Sequence, residues 1–160
     1  MPVACTFVLN RSSVSNLVCP GFGSVPAYSG RGKHIDDPGA TALKKAGPLP
    51  AGTYFIVDRQ SGGRLGWFND LMADARAGTD RSRWFALYRN DGTIDDWTFV
   101  EGVRRGNFRL HPSGWWGMSE GCITLPHAGQ FDKLRQFLKA QPTRKIPGTT
   151  INYYGTVTVR

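Results

Sequence analysis

Residues 108–126 read FRLHPSGWWGMSEGCITLP. The chain has three histidines and three cysteines, and this stretch holds one of each, eleven positions apart around Trp115 and Trp116. FRLH reads as a strand with His111 near its end, and the Pro-Ser-Gly-Trp-Trp-Gly loop after it can fold back to set His111 beside Cys122. Cysteine catalysis needs a thiolate, a base within hydrogen-bond reach, and donors aimed at the oxyanion of a tetrahedral intermediate. The stretch can supply all three. Gly121 permits a sharp turn that exposes the Cys122 sulfur, the amides of Gly121 and Cys122 can face an incoming carbonyl, and the Ser119 hydroxyl can orient either group. The same residues also read as a small buried hydrophobe and a hydrogen-bonded turn histidine, and spacing alone leaves both readings open.

The other histidines fit such a site less well. His127 is a second candidate base five residues after Cys122, but its position assigns it to the start of a helix. His34, in KHIDDPGA, has no thiol near it in sequence. The histidines and cysteines show no paired metal-ligand spacing, so neither a metal nor a cofactor is expected.

Outside this stretch the chain reads as one domain, residues 1–160. Hydrophobic content of 40%, including nine Phe, five Trp and five Tyr, suffices for a core without metal or disulfide staples. Twenty Gly and ten Pro are scattered as turn punctuation. Residues 3–9 and 14–19 read as a hairpin, Val25–Tyr28 as a short extended segment, and Thr53–Asp58 as a strand launched by Pro-Ala-Gly. RWFALYR and TIDDWTFV read as two strands of a hairpin turning at Asn-Asp-Gly. The spacing of Leu65, Phe68, Leu71 or Met72, and Ala75 predicts a short helix ended by Gly78. Phe131, Leu134 and Leu138 predict a second over 126–140. TTINYYGTVTVR reads as a final strand. The expected class is a β-dominated α+β domain with two short helices.

Twenty Lys and Arg against twelve Asp and Glu give a formal charge of +8, which favours an anionic partner. The basic residues stand singly or in pairs, without the interleaved aromatics of a nucleic-acid strip, so nucleic acid is not the expected one. The apolar run at residues 3–9 lacks a basic leader and a cleavage site, and no segment has the ~20 apolar residues of a membrane span. Cytoplasmic synthesis and export by a route other than general secretion are the expectation. A three-residue hairpin loop, Arg11-Ser12-Ser13, would set Cys5 opposite Cys19 and Phe7 opposite Leu17. That register permits a disulfide in an oxidising compartment, as an alternative to two buried thiols.

SEGCITL, preceded by FRLHP, resembles the Ser-x-Gly-Cys signature of L,D-transpeptidase catalytic domains. With VPAYSGRG, GPLPAGTYFIVDRQSGGRLG and WFALYRNDGTIDDWTFVEGVRRGNFRLHP, the chain resembles the L,D-transpeptidase-like effectors of type VI secretion from about Val3 to the helix at 126–140. The resemblance implies an L,D-transpeptidase-like β-sandwich or sheet fold, with His111 as base, Cys122 as nucleophile, and Ser119 and Gly121 as the supporting motif. Arg109, Tyr28, Ser29 and Gly30 become wall residues of the site.

The substrate so implied is the peptide stem of peptidoglycan, reached by type VI delivery into the periplasm of a rival cell. The partners implied are a secretion loading component and a cognate immunity protein, acidic where it meets this basic chain. Two departures narrow the expected activity. Housekeeping L,D-transpeptidases usually have Gly after the His and Arg two positions after the Cys, where this chain has Pro112 and Thr124, and their His-to-Cys loop is longer. With Trp115 and Trp116 filling the short loop, the acceptor side should be narrow and favour trimming and D-amino-acid exchange over cross-linking. Arg109 or Arg31 can grip an acceptor carboxylate in bidentate fashion. A housekeeping cell-wall transpeptidase, and a non-catalytic basic module binding the wall or nucleic acid, are the alternatives.

Overall fold

The computed structural model describes residues 2–58, 83–113 and 121–160. The helix expected within 61–78, together with Trp115, Trp116 and Ser119, lies outside them. The expected N-terminal hairpin forms from β1 (Val3–Phe7) and β2 (Ser15–Cys19), with Phe7 opposite Leu17. Asn10 closes its loop by donating to the Val14 carbonyl and accepting the Ser12 amide. Cys5 and Cys19 are joined by a disulfide, with Cα atoms 4.3 Å apart, which settles the alternative left open by the register.

The remaining strands are β3 (Gly23–Ala27), β4 (Gly52–Asp58), β5 (Phe85–Arg89), β6 (Trp97–Val100), β7 (Val103–Gly106), β8 (Arg109–Pro112), β9 (Ile123–Leu125), β10 (Arg144–Lys145) and β11 (Asn152–Val159). One helix, α1 (Ala128–Lys139), follows β9 and buries Phe131, Leu134 and Leu138, the face its spacing predicts. His127 is its N-cap residue, as its position suggested, but makes no side-chain capping bond.

Most strands join one sheet in the order β3-β2-β1-β11-β4-β5-β8-β9, with β10 paired to β11. Its two ends nearly meet. Tyr28, just past β3, exchanges both backbone hydrogen bonds with Thr124 of β9, at 2.9 and 2.8 Å. The β-dominated α+β class therefore holds, as a sheet that almost closes on itself. The main core fills its inside with Phe7, Leu17, Tyr54, Ile56, Phe85, Leu110, Ile123 and Leu125 against α1. β4 and β5 are buried on both faces, because Phe55, Val57, Ala86 and Tyr88 pack with Ile146 in a second cluster.

The expected hairpin between RWFALYR and TIDDWTFV does not form. Both edges of β5 are already taken, by β4 and β8, and β6 pairs instead with β7 in a separate two-stranded ribbon. The ribbon turns at Glu101 and Gly102, whose φ angles of 50° and 78° suit the primed hairpin turns. Asp91 caps the turn after β5, accepting from the Thr93 amide and the Thr98 hydroxyl.

Candidate active site

Strand register sets the two candidate residues on neighbouring segments. β8 and β9 run parallel, with Leu110 opposite Ile123 and His111 opposite Thr124. Side chains alternate between faces along a strand, so Leu110, Ile123 and Leu125 enter the main core while Arg109, His111 and Thr124 share the other face. Cys122 stands immediately before β9. In the extended register it lies opposite Arg109 and diagonal to His111.

His111 is 5% exposed and tightly held. Its Nδ1 is 2.6 Å from the Pro112 carbonyl oxygen and its Nε2 3.5 Å from the Thr124 hydroxyl. A carbonyl can only accept, so this contact assigns the neutral ring's proton to Nδ1 and makes Nε2, which faces the Thr124 hydroxyl, the acceptor nitrogen. Trp84 stacks on the imidazole, with ring centroids 4.2 Å apart and planes 20° from parallel. A ring fixed in this way needs little reorganisation before it accepts a proton.

Cys122 is buried, and its Sγ points to the Asn107 carbonyl at 3.8 Å. Asn107 has a φ of 59° in the Gly-Asn turn between β7 and β8, which aims that carbonyl back at the thiol. Gly121 has a φ of 96°, so the sharp turn expected before the cysteine is present, but it does not expose the thiol as expected, because Cys122 packs into the fold. Glycine is needed there twice over. A Cβ would sit 2.5 Å from Arg105 Nη2 and 2.9 Å from the Phe108 ring, besides the backbone strain.

Arg105 is 2% exposed, so part of the basic charge is internal. Its guanidinium donates to the carbonyls of Thr41, Pro48 and Gly47, clasping the loop before β4 to the β6–β7 ribbon. Arg109 is held by Asp96 through two bonds of 2.7 and 2.8 Å. Burial alone would lower its pKa, but the Asp96 hydrogen bond and charge, with a smaller contribution from Cys122, outweigh it and raise the pKa above the ordinary arginine value. The bidentate carboxylate expected for Arg109 is thus supplied by the chain itself.

The expected wall residues divide. Tyr28 is buried beside β9 and Arg31 is exposed. The Ser29 hydroxyl accepts the Leu49 amide at 2.8 Å inside the fold. Gly30, with a φ of 96°, is enclosed by the backbone at His34, Ala46 and Pro48. Those two positions build the loop that carries Tyr28. Trp84, Asp96, Arg105 and Asn107 reach the site without having been singled out for it. Only Asn107 carried a local signal, its Gly-Asn turn pair; the others arrive through long-range packing.

The family model for the Tlde1 domain matches residues 23–149, most of the chain. The chain belongs to the Tlde1 domain family. This is a family of type VI secretion effectors with peptidoglycan-related activity, which makes the present Tlde1 domain a member of an enzyme group directed at that polymer. The match runs from β3 to just before β11, so the disulfide-linked hairpin lies outside it. No curated protein and no solved structure matches the chain. Among the described residues, no cluster of three or more His, Cys, Asp or Glu could hold a metal ion, and no helix is long and apolar enough to cross a membrane.

Proposed function

We propose that this Tlde1 domain, over residues 1–160, is a cysteine-dependent L,D-carboxypeptidase and L,D-transpeptidase acting on tetrapeptide stems, injected by type VI secretion into the periplasm of a target cell. The reading is supported by one observation above all. His111 lies in β8 and Cys122 immediately before the adjacent parallel β9, on the same face if the register is continued by one residue, and the His111 ring is oriented with Nε2 as its acceptor.

In the proposed reaction His111 Nε2 takes the Cys122 proton as Sγ attacks the carbonyl of the third stem residue. The amides of Gly121 and Cys122 receive the oxyanion. Collapse of the intermediate breaks the bond to D-alanine, whose nitrogen leaves with the proton from His111, and a thioester remains on Cys122. Water, deprotonated by the same His111, then releases a tripeptide with a free carboxylate. A D-amino acid in place of water yields an exchanged tetrapeptide. Thr124, pinned between His111 and Tyr28, gives the acceptor side no cation, in keeping with a minor role for cross-linking.

A cognate immunity protein that occludes Cys122, and a loading partner in the secretion apparatus, complete the proposal. Incubation with disaccharide-tetrapeptide followed by mass spectrometry of the muropeptides tests the activity. Tripeptide and free D-alanine are expected, with exchanged tetrapeptide when a second D-amino acid is added, and no turnover by Cys122→Ala or His111→Ala. Abundant 3-3 cross-linked dimers would place the protein with the housekeeping transpeptidases. Wall binding without turnover would make it a non-catalytic module.

A further inference from the structure

Trp84 is the residue before β5, whose antiparallel pairing with β8 sets Phe85 opposite Leu110 and Ala86 opposite Arg109. Continued by one residue, the same register puts Trp84 opposite His111, on the same face of the sheet. The two rings meet there, with centroids 4.2 Å apart and planes 20° from parallel, and both residues are buried. Across the sheet His111 thus has an indole on the β5 side and Thr124 on the β9 side.

A neutral imidazole gains only ordinary stacking from such a neighbour, whereas an imidazolium gains more. The face of an aromatic ring is negative, and indole attracts a cation laid on it more strongly than phenol or benzene does. The surroundings make that attraction matter. Burial of His111 opposes charge on its ring. On the same strand Arg109 brings a like charge, met by its two bonds to Asp96. Arg105, beside Gly121, is turned to the carbonyls of the 41–48 loop. From β5, Tyr88 has its pKa raised chiefly by burial and stays neutral. From β9, Thr124 brings a hydroxyl, with Tyr28 paired to its backbone, and Cys122 becomes an anion only on giving up its proton.

We infer that Trp84 is a positioning residue acting through His111: its indole face stabilises the imidazolium formed when Nε2 takes the Cys122 proton, and so raises the share of the pair present as imidazolium and thiolate. The inference rests on the cysteine chemistry proposed above. The proton leaves Sγ, the bonding pair stays on sulfur, and the Nε2 lone pair forms the new N–H bond. Nδ1 keeps its own proton toward the Pro112 carbonyl. The two contacts of the ring therefore divide the work, the carbonyl at its edge selecting the tautomer and the indole on its face favouring the charge.

The test separates charge from packing. In full-length Cys122→Ala protein His111 titrates without its coupled thiol, and its ring signals can be followed by NMR against pH. Trp84→Leu keeps a buried apolar neighbour but removes the ring face, and the midpoint of the His111 titration should fall by about 0.5–1 pH unit. Trp84→Phe, with a weaker ring face, should lower it less, and decides the question by itself if the leucine variant does not fold. His34 and His127 should titrate as in the parent. With Cys122 present, kcat for trimming of disaccharide-tetrapeptide at pH 7 should fall about three- to tenfold in Trp84→Leu, with KM little changed and part of the loss restored in Trp84→Phe. Midpoints that stay put or rise overturn the inference, as does a loss of kcat equal in the two variants. Variants that trim as fast as an active parent remove the inference and leave the proposed activity standing. If the midpoints fall but the parent trims nothing, the proposed activity fails, while the hold of Trp84 on the His111 charge is upheld by the titration.

Discussion

Replacing Gly121 by alanine should destabilise this protein through backbone strain and overlap together. A φ of 96° is a conformation that a residue with a Cβ occupies at a cost of about 1–2 kcal/mol. The new methyl would also meet Arg105 Nη2 at 2.5 Å and Phe108 at 2.9 Å. Arg105 cannot swing aside freely, because it is bonded to three carbonyls of the 41–48 loop, and giving up one such charged bond costs about 1.5–3 kcal/mol. The expected loss is about 3–4 kcal/mol, a fall in melting temperature of roughly 6–15 °C for a chain of this size. Gly129→Ala is the control. It lies in α1 with nothing within 4 Å of the added Cβ and should be neutral or stabilising by up to about 1 kcal/mol. Thermal melts of Gly121→Ala, Arg105→Ala and the double variant should show non-additivity of at least about 1 kcal/mol, since removing the guanidinium makes room for the methyl. A Gly121→Ala protein that melts within about 2 °C of the parent, or strictly additive variants, would refute the packing of Arg105 against the nucleophile turn.

The Cys5–Cys19 disulfide closes a loop with a sequence separation of 14, and its removal should cost about 3 kcal/mol. Thiol titration of unfolded, non-reduced protein should find one free thiol, and finding three would exclude the bridge. Asp36 is fully buried, with one carboxyl oxygen unpartnered, and burial raises its pKa to about 6 despite the Ser29 amide bond. A carboxyl whose folded pKa is raised contributes stability below the unfolded value that is lost as pH climbs through about 6. Asp36→Asn should therefore flatten the stability profile between about pH 4 and 6 and gain roughly 1–2 kcal/mol at pH 7, with allowance for screening. Denaturant melts across that range check it, and an unchanged slope would contradict it. Capture by an acidic immunity protein should slow as salt rises. A binding rate indifferent to ionic strength would remove the electrostatic part of that proposal.

Local pattern carried much of this fold. The alternation in β1 and β2, the β-rich run of β4, the hairpin register that joins Cys5 to Cys19, and the apolar stripe of α1 are all short-range signals. What stayed hidden was pairing between distant segments. The parallel contacts of β1 with β11 and β8 with β9 have no local signature, nor have the pairings of β5 with β4 and β8 that leave no edge for β6. The Asn-Asp-Gly turn was visible, but a turn does not specify that its flanking strands pair. Glu101-Gly102, the turn that does make a hairpin, lacks the Asn or Asp that marks most two-residue loops. In the candidate site, His111 and Cys122 were legible as candidates from residue type. The roles of Trp84, Asp96 and Arg105 were not, because each reaches the site from a distant part of the chain. Arg105 in particular reads as surface charge in sequence and is a buried clasp in the fold.

The claim that matters most is that Cys122 is acylated by the stem. Rapid mixing of the protein with disaccharide-tetrapeptide, an acid quench and peptide mapping by mass spectrometry would look for the thioester directly. The account predicts a mass increment equal to the disaccharide-tripeptide acyl group on the peptide containing Cys122, absent from Cys122→Ala and discharged when a D-amino acid is added. Turnover of the tetrapeptide with no increment on that peptide at any quench time, or by the Cys122→Ala protein, would contradict it.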